Sequence, residues 1–495
     1  MGQFELTPSL QGKGRGRGWL ACGRGTQPPP NLPLRGGEIF RLTHDRLAGD
    51  RRSPGDIHTT RGMIGQTGTA IFQSVPGREE FSMSGSDTGR LRFASAMSDS
   101  AHTPDALREV MDILHAQFAS DAADLILVFA TMHHHAQLEK VCENLEATFG
   151  SRVTLGCTCS GVIGTLRELQ DTPGLSVLVG VMPSASFTGF SYEQFDWPAV
   201  LDSPSALRDS INTGGSGGGA AGAASQSSDP RAILLLADPF STPMVKLLPA
   251  FTEAFGPIPV FGGMASGASE SGQNKLVLNG SAMRDGAVGL VIGGNIDVQT
   301  TVSQGCRPIG EPLVITRSKR NVVQELGGRK SLEVLRQIAA SLSPADRELI
   351  QSNGVHVGRV INEYKSRFGR GDFLIRAMIG VDADDGYIAI GDPSVRTGQT
   401  IQFHLRDAES AENDFKMMLA AQQVHGDAQG ALLFSCTGRG HHLFENADPD
   451  AGMVYDALGD SPLAGFFCAG EIGPVGNQSY VHSHTACLAV FRESE

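Results

Sequence analysis

In the central part of the chain, short continuous runs of apolar residues alternate with segments in which apolar residues recur at the spacing of one helix face. This pattern predicts strands that alternate with helices. The run DLILVFA at 124–130 has the length and composition of a buried strand. A predicted helix follows, and Gly150 ends it. Its apolar face has i, i+3, i+4, i+7 spacing and consists of Leu138, Val141, Cys142, Leu145 and Phe149. A short strand VTL, a glycine-rich segment and a closing strand at 175–182 complete one unit.

The same order of elements occurs twice more along the chain. In the second unit, AILLLADPF at 232–240 predicts a strand, and the next helix contains Pro249 and ends at Gly256. The apolar face of that helix consists of Met244, Leu247, Leu248, Phe251 and Phe255. In the third unit, a strand at the start of ALLFSCTGRG (431–440) precedes a short helix that ends at Gly459, and TACLAVF at 485–491 is the closing strand. The pattern therefore predicts three repeated strand–helix–strand–glycine loop–strand units.

Each unit contains a glycine-rich segment of related sequence. The segments GCTCSGVIG at 156–164 and GFFCAGEIG at 465–473 share five positions, and GGMASG at 262–267 keeps the first and last glycines of the six-residue core. Crossover helices bring the carboxyl-end loops of parallel strands to one edge of a sheet, where α/β proteins bind ligands. We therefore expect Gly156, Gly262 and Gly465 each to follow a strand, in loops at such an edge. Only the third segment carries an acid, Glu471.

These units predict an α/β protein of two domains with mixed sheets flanked by helices. The N-terminal domain is placed at 89–325, with a disordered Gly/Ser-rich insertion at 213–228. The C-terminal domain at 326–495 contains the third unit and the antiparallel strands that the β alternation at 355–405 predicts. Residues 1–88 hold too few apolar residues for a core, so they are predicted to be a disordered tail, a targeting segment or a mis-assigned start.

Charge and composition exclude several functional classes. The 495-residue chain has a net charge of -13 and no sustained basic face, which argues against general nucleic-acid binding. No apolar run approaches the roughly 18 to 20 residues that a membrane span needs. Eight cysteines without a regular framework favour a reducing compartment. We expect an intracellular protein, cytoplasmic or, if the basic N-terminus is a transit peptide, chloroplast-located.

Seven segments between about residues 90 and 492 together carry a family resemblance. They are LRFASAMS (91–98), GCTCSGVIG, VFGGMASG, SQGCRPIG (303–310), GDPSVRTGQTIQFHLRD (391–407), LLFSCTGRG and PLAGFFCAGEIG. In this order they resemble the FIST family, sensory modules with paired N- and C-terminal FIST domains in signalling proteins and in certain F-box proteins. The resemblance implies binding of small ligands such as amino acids. Its alternative implication is a substrate-recruiting adaptor of a ubiquitin ligase, although the region before residue 90 lacks the Leu-rich helix of an F-box.

The candidate ligand site centres on the acid of the third segment. A buried carboxylate needs a partner, and Arg439 in the CTGRG loop of the same unit is the expected one. Such a pair is either structural, fixing two loops, or functional, receiving the ammonium and carboxylate groups of a small zwitterion. The predicted ligand-binding residues are Arg439, Glu471, Cys436, Gly440, Gly470 and His482.

Two chemical alternatives use other residues. Cys436 can be a nucleophile beside His482 or His484, with Glu471 orienting the imidazole, in a cysteine-dependent hydrolase. Cys157 and Cys159 with the histidines at 133–135 can form a metal site, although structural zinc favours wider cysteine spacing. We expect neither: the protein is predicted to be no enzyme and to hold no cofactor or metal. Its expected partners are a small polar ligand and a protein, for which ubiquitin-ligase components stay open, and no nucleic acid or membrane.

Overall fold

The computed structural model describes residues 19–20, 90–118, 122–213, 229–369 and 371–494. The predicted disorder of 1–88 and 213–228 falls outside these residues, except that Trp19–Leu20 forms a short strand and Thr213 ends a helix. The described helices are α1 Thr103–Gln117, α2 Leu138–Phe149, α3 Trp197–Asp202, α4 Pro204–Thr213, α5 Met244–Phe255, α6 Ser331–Ser341, α7 Pro344–Asn353, α8 Ala408–Gln422 and α9 Pro449–Leu458.

The strands of the described residues form four sheets, three of which repeat one pattern. The first sheet has the order β12 (Ser281–Met283), β11 (Leu276–Leu278), β4 (Val153–Cys159), β3 (Leu125–Thr131), β7 (Leu175–Val181) and β2 (Arg92–Ser98). The second has β25 (Gln478–His482), β24 (Glu471–Val475), β10 (Val260–Met264), β9 (Pro230–Ala237), β13 (Ala287–Gly294) and β8 (Ala185–Ser191). The third has β6 (Arg167–Gln170), β5 (Gly161–Gly164), β23 (Leu463–Cys468), β22 (Gly430–Cys436), β26 (Ala486–Glu493) and β14 (Ile296–Ser303).

The centre of each of these three sheets is a parallel strand–helix–strand unit, as the apolar pattern predicts. The pairs β3 and β4, β9 and β10, and β22 and β23 are parallel, and β7, β13 and β26 close them in antiparallel pairing. Gly150 ends α2 with a left-handed backbone at φ 64°, and Pro249 lies inside α5. The apolar face of α2, including Cys142, is buried against the outer face of the first sheet.

The three units exchange hairpins in a closed cycle. The chain of the first unit contributes β5 and β6 to the third sheet, that of the second unit contributes β11 and β12 to the first sheet, and that of the third unit contributes β24 and β25 to the second sheet. The inner faces of all three sheets meet in one apolar core, where Phe129, Phe434 and Phe466 contact one another. Each unit is therefore completed by a neighbouring unit.

The fourth sheet is antiparallel and contains the strands expected at 355–405. Its order is β1 (Trp19–Leu20), β19 (Phe373–Asp382), β18 (His356–Val360), β21 (Thr400–Arg406), β15 (Cys306–Lys319), β16 (Val322–Leu326) and β17 (Arg329–Lys330), with β20 (Tyr387–Ile390) pairing with β16 and β19. These strands form a sheet separate from that of the third unit. Gly89–Glu495 belongs to one compact unit, so the division at 325/326 stays a prediction from sequence.

The prediction that the glycine-rich segments are loops is wrong. Gly156, Gly262 and Gly465 lie inside β4, β10 and β23, opposite the parallel strands β3, β9 and β22. A Cβ on Gly465 would lie 1.9 Å from the carbonyl oxygen of Leu433, and one on Gly262 would lie 2.0 Å from that of Leu235. Gly262 and Gly465 therefore serve close approach of two strands.

We expect Gly465→Ala to lower the free energy of unfolding by at least about 2 kcal/mol, because the new methyl group overlaps a neighbouring backbone that cannot move freely. Gly156→Ala is the matched control, since a Cβ there would lie 3.0 Å from the carbonyl oxygen of Val128 and needs only a small shift. Urea unfolding of both variants measures the difference. Equal losses in the two variants would contradict the close-approach explanation.

Candidate functional site

The candidate residues meet where the third sheet lies against the fourth sheet, and Glu471 joins them from β24 of the second sheet. Arg406 at the end of β21 donates from Nη2 to the carbonyl oxygen of Gly438, which follows β22. His356 at the start of β18 contacts His484, which precedes β26, with 3.1 Å between their Nε2 atoms. We call the buried residues assembled here the polar cluster: Arg406, Cys436, Arg439, Glu471, His356 and His484.

Arg439 is completely buried and binds Asp450. Its Nε and Nη2 atoms donate to the two carboxylate oxygens of Asp450 at 2.8 and 2.7 Å. Burial by itself lowers the pKa of the Arg439 guanidinium, but the charge and hydrogen bonds of Asp450 raise it above its ordinary value. The predicted pairing of Arg439 with Glu471 is therefore wrong, because α9 supplies the carboxylate that takes this guanidinium.

Glu471 is the first residue of β24 and is also completely buried. Its Oε2 atom accepts hydrogen bonds from the N–H and hydroxyl groups of Thr485 at 3.2 and 2.8 Å. Burial raises the pKa of Glu471 to about 8, although the Thr485 hydrogen bonds and the charge of Arg439 act in the opposite direction. At neutral pH this carboxyl group therefore retains its proton in most molecules.

The two histidines of the polar cluster are uncharged at neutral pH. Burial, with the nearby positive charge of Arg406, lowers the pKa of His356 to about 3 and that of His484 well below its ordinary range. A neutral imidazole carries one N–H group, so the Nε2–Nε2 contact requires one ring to donate and the other to accept. The two Nδ1 atoms must then differ as well, one being a donor and the other an acceptor.

Cys436 ends β22 and is a buried thiol. Its backbone N–H donates to the carbonyl oxygen of Thr485 at 3.0 Å, which ties the end of β22 to the turn that contains His484. Burial and the charge of Glu471 raise the pKa of Cys436 to about 11. The thiolate that a cysteine nucleophile needs is therefore a small fraction at neutral pH. Glu471 binds Thr485, not an imidazole as the hydrolase alternative requires.

The remaining predicted residues border the polar cluster. His482 lies opposite Glu471 in the pairing of β24 and β25, and its Nε2 atom contacts the carbonyl oxygen of Gly473 at 3.0 Å. Gly470 accepts a backbone hydrogen bond from Met264. Gly440 has a φ of 54° and packs against the amide end of the Gln170 side chain, which would have to move to admit a Cβ. The left-handed backbone of Gly440 thus gives that position a structural reason to be glycine.

The polar cluster contains five side-chain atoms that have no hydrogen-bond partner among the described residues. They are Arg406 Nε, Arg439 Nη1, Glu471 Oε1, His356 Nδ1 and His484 Nδ1. An unpaired buried polar group costs about 1 to 3 kcal/mol, so such groups in one place indicate that a water molecule or a ligand completes them. Two of these atoms are cationic donors and one belongs to a carboxyl group, so the polar cluster can receive both an acceptor and a donor.

Sequence reasoning missed four residues of this region. Asp450 lies in the first turn of α9, where an acid is already favoured by the helix dipole, so its role as the partner of Arg439 has no separate sequence signal. His356 and Arg406 lie in strands of the fourth sheet, more than 30 residues from Arg439. Thr485 adjoins His484 in the segment HSHT, which was a usable signal.

The metal-site alternative built on cysteines has no support from the geometry. Cys157 and Cys159 are completely buried in the apolar core shared by the three sheets. Burial raises the pKa of both thiols far above the ordinary value, which disfavours the thiolate form that binds metals. His134 is buried and its Nδ1 atom contacts the hydroxyl of Thr103 at 2.9 Å.

Comparisons with known proteins give a consistent family match. The model of the FIST N domain matches residues 124–329, and the model of the FIST C domain matches residues 331–474. The uncharacterized protein Rv0628c of Mycobacterium tuberculosis is 34% identical over 403 residues, which cover 81% of this chain and 100% of that relative. The uncharacterized protein Mb0898c of Mycobacterium bovis is 34% identical over 394 residues, covering 79% and 96%.

The fold was also compared with solved structures, and its helices were checked for membrane-spanning length and composition. Cyanuric acid hydrolase from A. caulinodans aligns with a TM-score of 0.30 and 8% identity, over 82% of this chain and 99% of that chain. At that TM-score the likeness supports no inference about this chain. None of the helices in the described residues is both long enough and apolar enough to cross a bilayer.

Proposed function

The chain belongs to the FIST family, whose domains are generally sensory and ligand-binding modules of signalling proteins, and we propose that it binds a small zwitterion such as an amino acid at the polar cluster. The observation that carries this proposal is the set of buried, unpaired polar atoms of opposite character: Arg439 Nη1 and Arg406 Nε as donors, and Glu471 Oε1, which is an acceptor for an ammonium group once the carboxyl group is ionised. A ligand with a carboxylate and an ammonium group matches both kinds of atom.

The contact with Arg439 differs from a bidentate clamp. Asp450 already occupies Nε and Nη2 of Arg439, so a ligand carboxylate receives one N–H group from this residue. Arg406 adds its Nε–H group, which has no partner among the described residues, while its Nη2 atom is bound to the carbonyl oxygen of Gly438. One contact from each of two guanidinium groups favours a small carboxylate that fits between them.

Burial of the polar cluster provides a way for occupancy to reach a protein partner. We expect a ligand to enter when the turn after Cys436 separates from the turn at His484, which the Cys436–Thr485 backbone hydrogen bond otherwise joins. When the two turns close around the ligand, the contacts between them form again and the contacts with the ligand are added. Ligand therefore stabilises the closed arrangement over the open one, and a partner that distinguishes the two arrangements responds to occupancy.

The role proposed for this site is binding without turnover. A cysteine nucleophile works as a thiolate, usually beside a basic group that takes its proton. The raised pKa of Cys436 and the depressed pKa of His484 both work against proton transfer between them at neutral pH. These shifts favour a binding role over a cysteine-dependent hydrolase.

A thermal-shift screen of the full chain against amino acids and other small zwitterions tests the proposal, because a ligand that binds only the native state raises the melting temperature. With the pKa of Glu471 at about 8, its ionised fraction rises about fivefold between pH 7 and pH 8, and the affinity for an ammonium ligand should rise by about the same factor. Isothermal titration calorimetry of a compound that raises the melting temperature measures this rise.

Three variants make the test specific. Glu471→Gln should remove the pH dependence and most of the binding, and Arg406→Lys should weaken binding because it removes the Nε–H donor while keeping the charge. Glu412→Gln on the exposed side of α8 is the control and should bind as the wild type does. If no zwitterion raises the melting temperature, or if Glu471→Gln binds as the wild type does, the proposal is wrong.

A further inference from the structure

Three exposed side chains with metal-binding groups meet at the surface between the first and third units. Asp171 follows β6, and His441 and His442 lie in the short turn Gly440–His442 directly after Arg439. The Nε2 atoms of His441 and His442 lie 3.1 and 3.9 Å from Oδ2 of Asp171. One ligand atom from each residue lies within 4.8 Å of the others.

We propose that Asp171, His441 and His442 form a binding site for a divalent transition-metal ion of the Zn²⁺ class. Two imidazole nitrogens and one carboxylate oxygen are a ligand set that Zn²⁺ accepts. A tetrahedral ion with bonds of about 2.0 to 2.1 Å holds its ligand atoms about 3.3 to 3.4 Å apart, and the two distances to Asp171 lie on either side of that value. Small side-chain rotations are therefore enough to complete the site.

The two chain segments that supply the ligands are already held together. The backbone N–H of His441 donates to Oε1 of Gln170 at 2.9 Å, and Gly440 packs directly against the same side chain. This contact fixes the histidine turn beside the residue that precedes Asp171. The metal would therefore bind to a largely preformed arrangement rather than to mobile side chains on separate surfaces.

Three protein ligands leave a fourth position of a tetrahedral ion for water or another small ligand. The site also joins β6 of the first unit to the turn that starts at Arg439, which is part of the polar cluster. Metal binding would therefore stiffen one border of that cluster. The metal site stands on its own residues and does not depend on the ligand proposed for the polar cluster.

Calorimetric titration of the chelator-treated, full-length protein with Zn²⁺ tests this inference. We expect one saturable site in the wild type, and Asp171→Asn should lower its Zn²⁺ affinity at least about tenfold. Removing a residue that binds the metal directly should cost at least as much affinity as removing a group that only hydrogen-bonds to a metal ligand. The double variant His441→Ala/His442→Ala should abolish that site. His425→Ala, which removes another exposed histidine, is the control and should bind as the wild type does.

Co²⁺ as a spectroscopic substitute distinguishes this site from one built on cysteines. We expect d–d absorption bands of nitrogen and oxygen ligation, without thiolate charge-transfer bands. Absence of saturable Zn²⁺ binding, unchanged binding in the double histidine variant, or thiolate bands with Co²⁺ would each overturn the assignment. Thermal unfolding of all variants without metal should match the wild type, because the three side chains are exposed.

Discussion

Asp450→Asn should lower the free energy of unfolding by about 3 to 5 kcal/mol, the usual loss when one partner of a buried ion pair is removed. Both side chains of the Arg439–Asp450 pair are completely buried, so the remaining guanidinium charge has no access to water. Phe415 and Phe444 lie beside the guanidinium, with ring centres 5.8 and 5.3 Å from its central carbon. These rings cannot replace the carboxylate that neutralises the charge. Urea unfolding at pH 7 measures the loss.

Two further variants establish the cause of that loss. Glu412→Gln breaks the exposed pair with Lys416 on α8 and should leave the unfolding midpoint unchanged, since exposed pairs contribute little. Replacing both buried partners, as in Arg439→Met/Asp450→Leu, should recover much of the stability because no unpaired charge remains. A larger loss in Glu471→Gln than in Asp450→Asn would instead mean that Glu471 is the true partner of Arg439.

Glu471→Gln should remove a pH dependence of stability that the wild type shows between pH 5 and pH 8. The pKa of Glu471 is raised from 4.5 to about 8 by burial, so over this range the folded protein holds a proton that the unfolded chain has released. Stability from this group is present at low pH and is lost as the pH rises towards 8. The wild type should therefore lose about 3 to 4 kcal/mol relative to Glu471→Gln between pH 5 and pH 8.

The difference between the two proteins isolates this one group. The buried histidines have depressed pKa values, so they reduce stability as the pH falls below about 6.5, and they do so equally in both proteins. Unfolding by urea at a series of pH values gives the difference directly. A difference that stays constant across the range would show that Glu471 is already ionised at pH 5 and that its charge is compensated.

The sequence by itself determined the local elements of this protein. Strands of continuous apolar residues and helices with apolar faces are recognisable because each depends on the spacing of residues within one segment. Gly150 and Gly459 identified helix ends correctly, since a residue just beyond a helix often needs a backbone that glycine adopts without strain. The related glycine segments also identified the threefold repetition of the strand–helix–strand unit.

The assignment of those segments as loops went wrong for a physical reason. A glycine that allows a turn and a glycine that allows two strands to approach closely look the same in a sequence. The contact that distinguishes them lies between Gly465 and Leu433, which are distant along the chain and adjacent in the sheet. Hairpin exchange among the units escaped prediction likewise, because the strand pattern does not say which sheet a hairpin joins.

Part of the candidate site was likewise predictable from the sequence, and part was set only by the tertiary structure. The sequence identified Glu471 as unusual among its equivalents, and it selected Cys436, Arg439 and His484 as polar residues near strand ends. Only the tertiary structure decided that Asp450 takes the guanidinium of Arg439 and that His356 and Arg406 arrive from the fourth sheet. Val162, at the position equivalent to Glu471, lies in the shared apolar core, whereas Glu471 meets Thr485. Partners of buried charges are set by long-range packing, which local spacing does not specify.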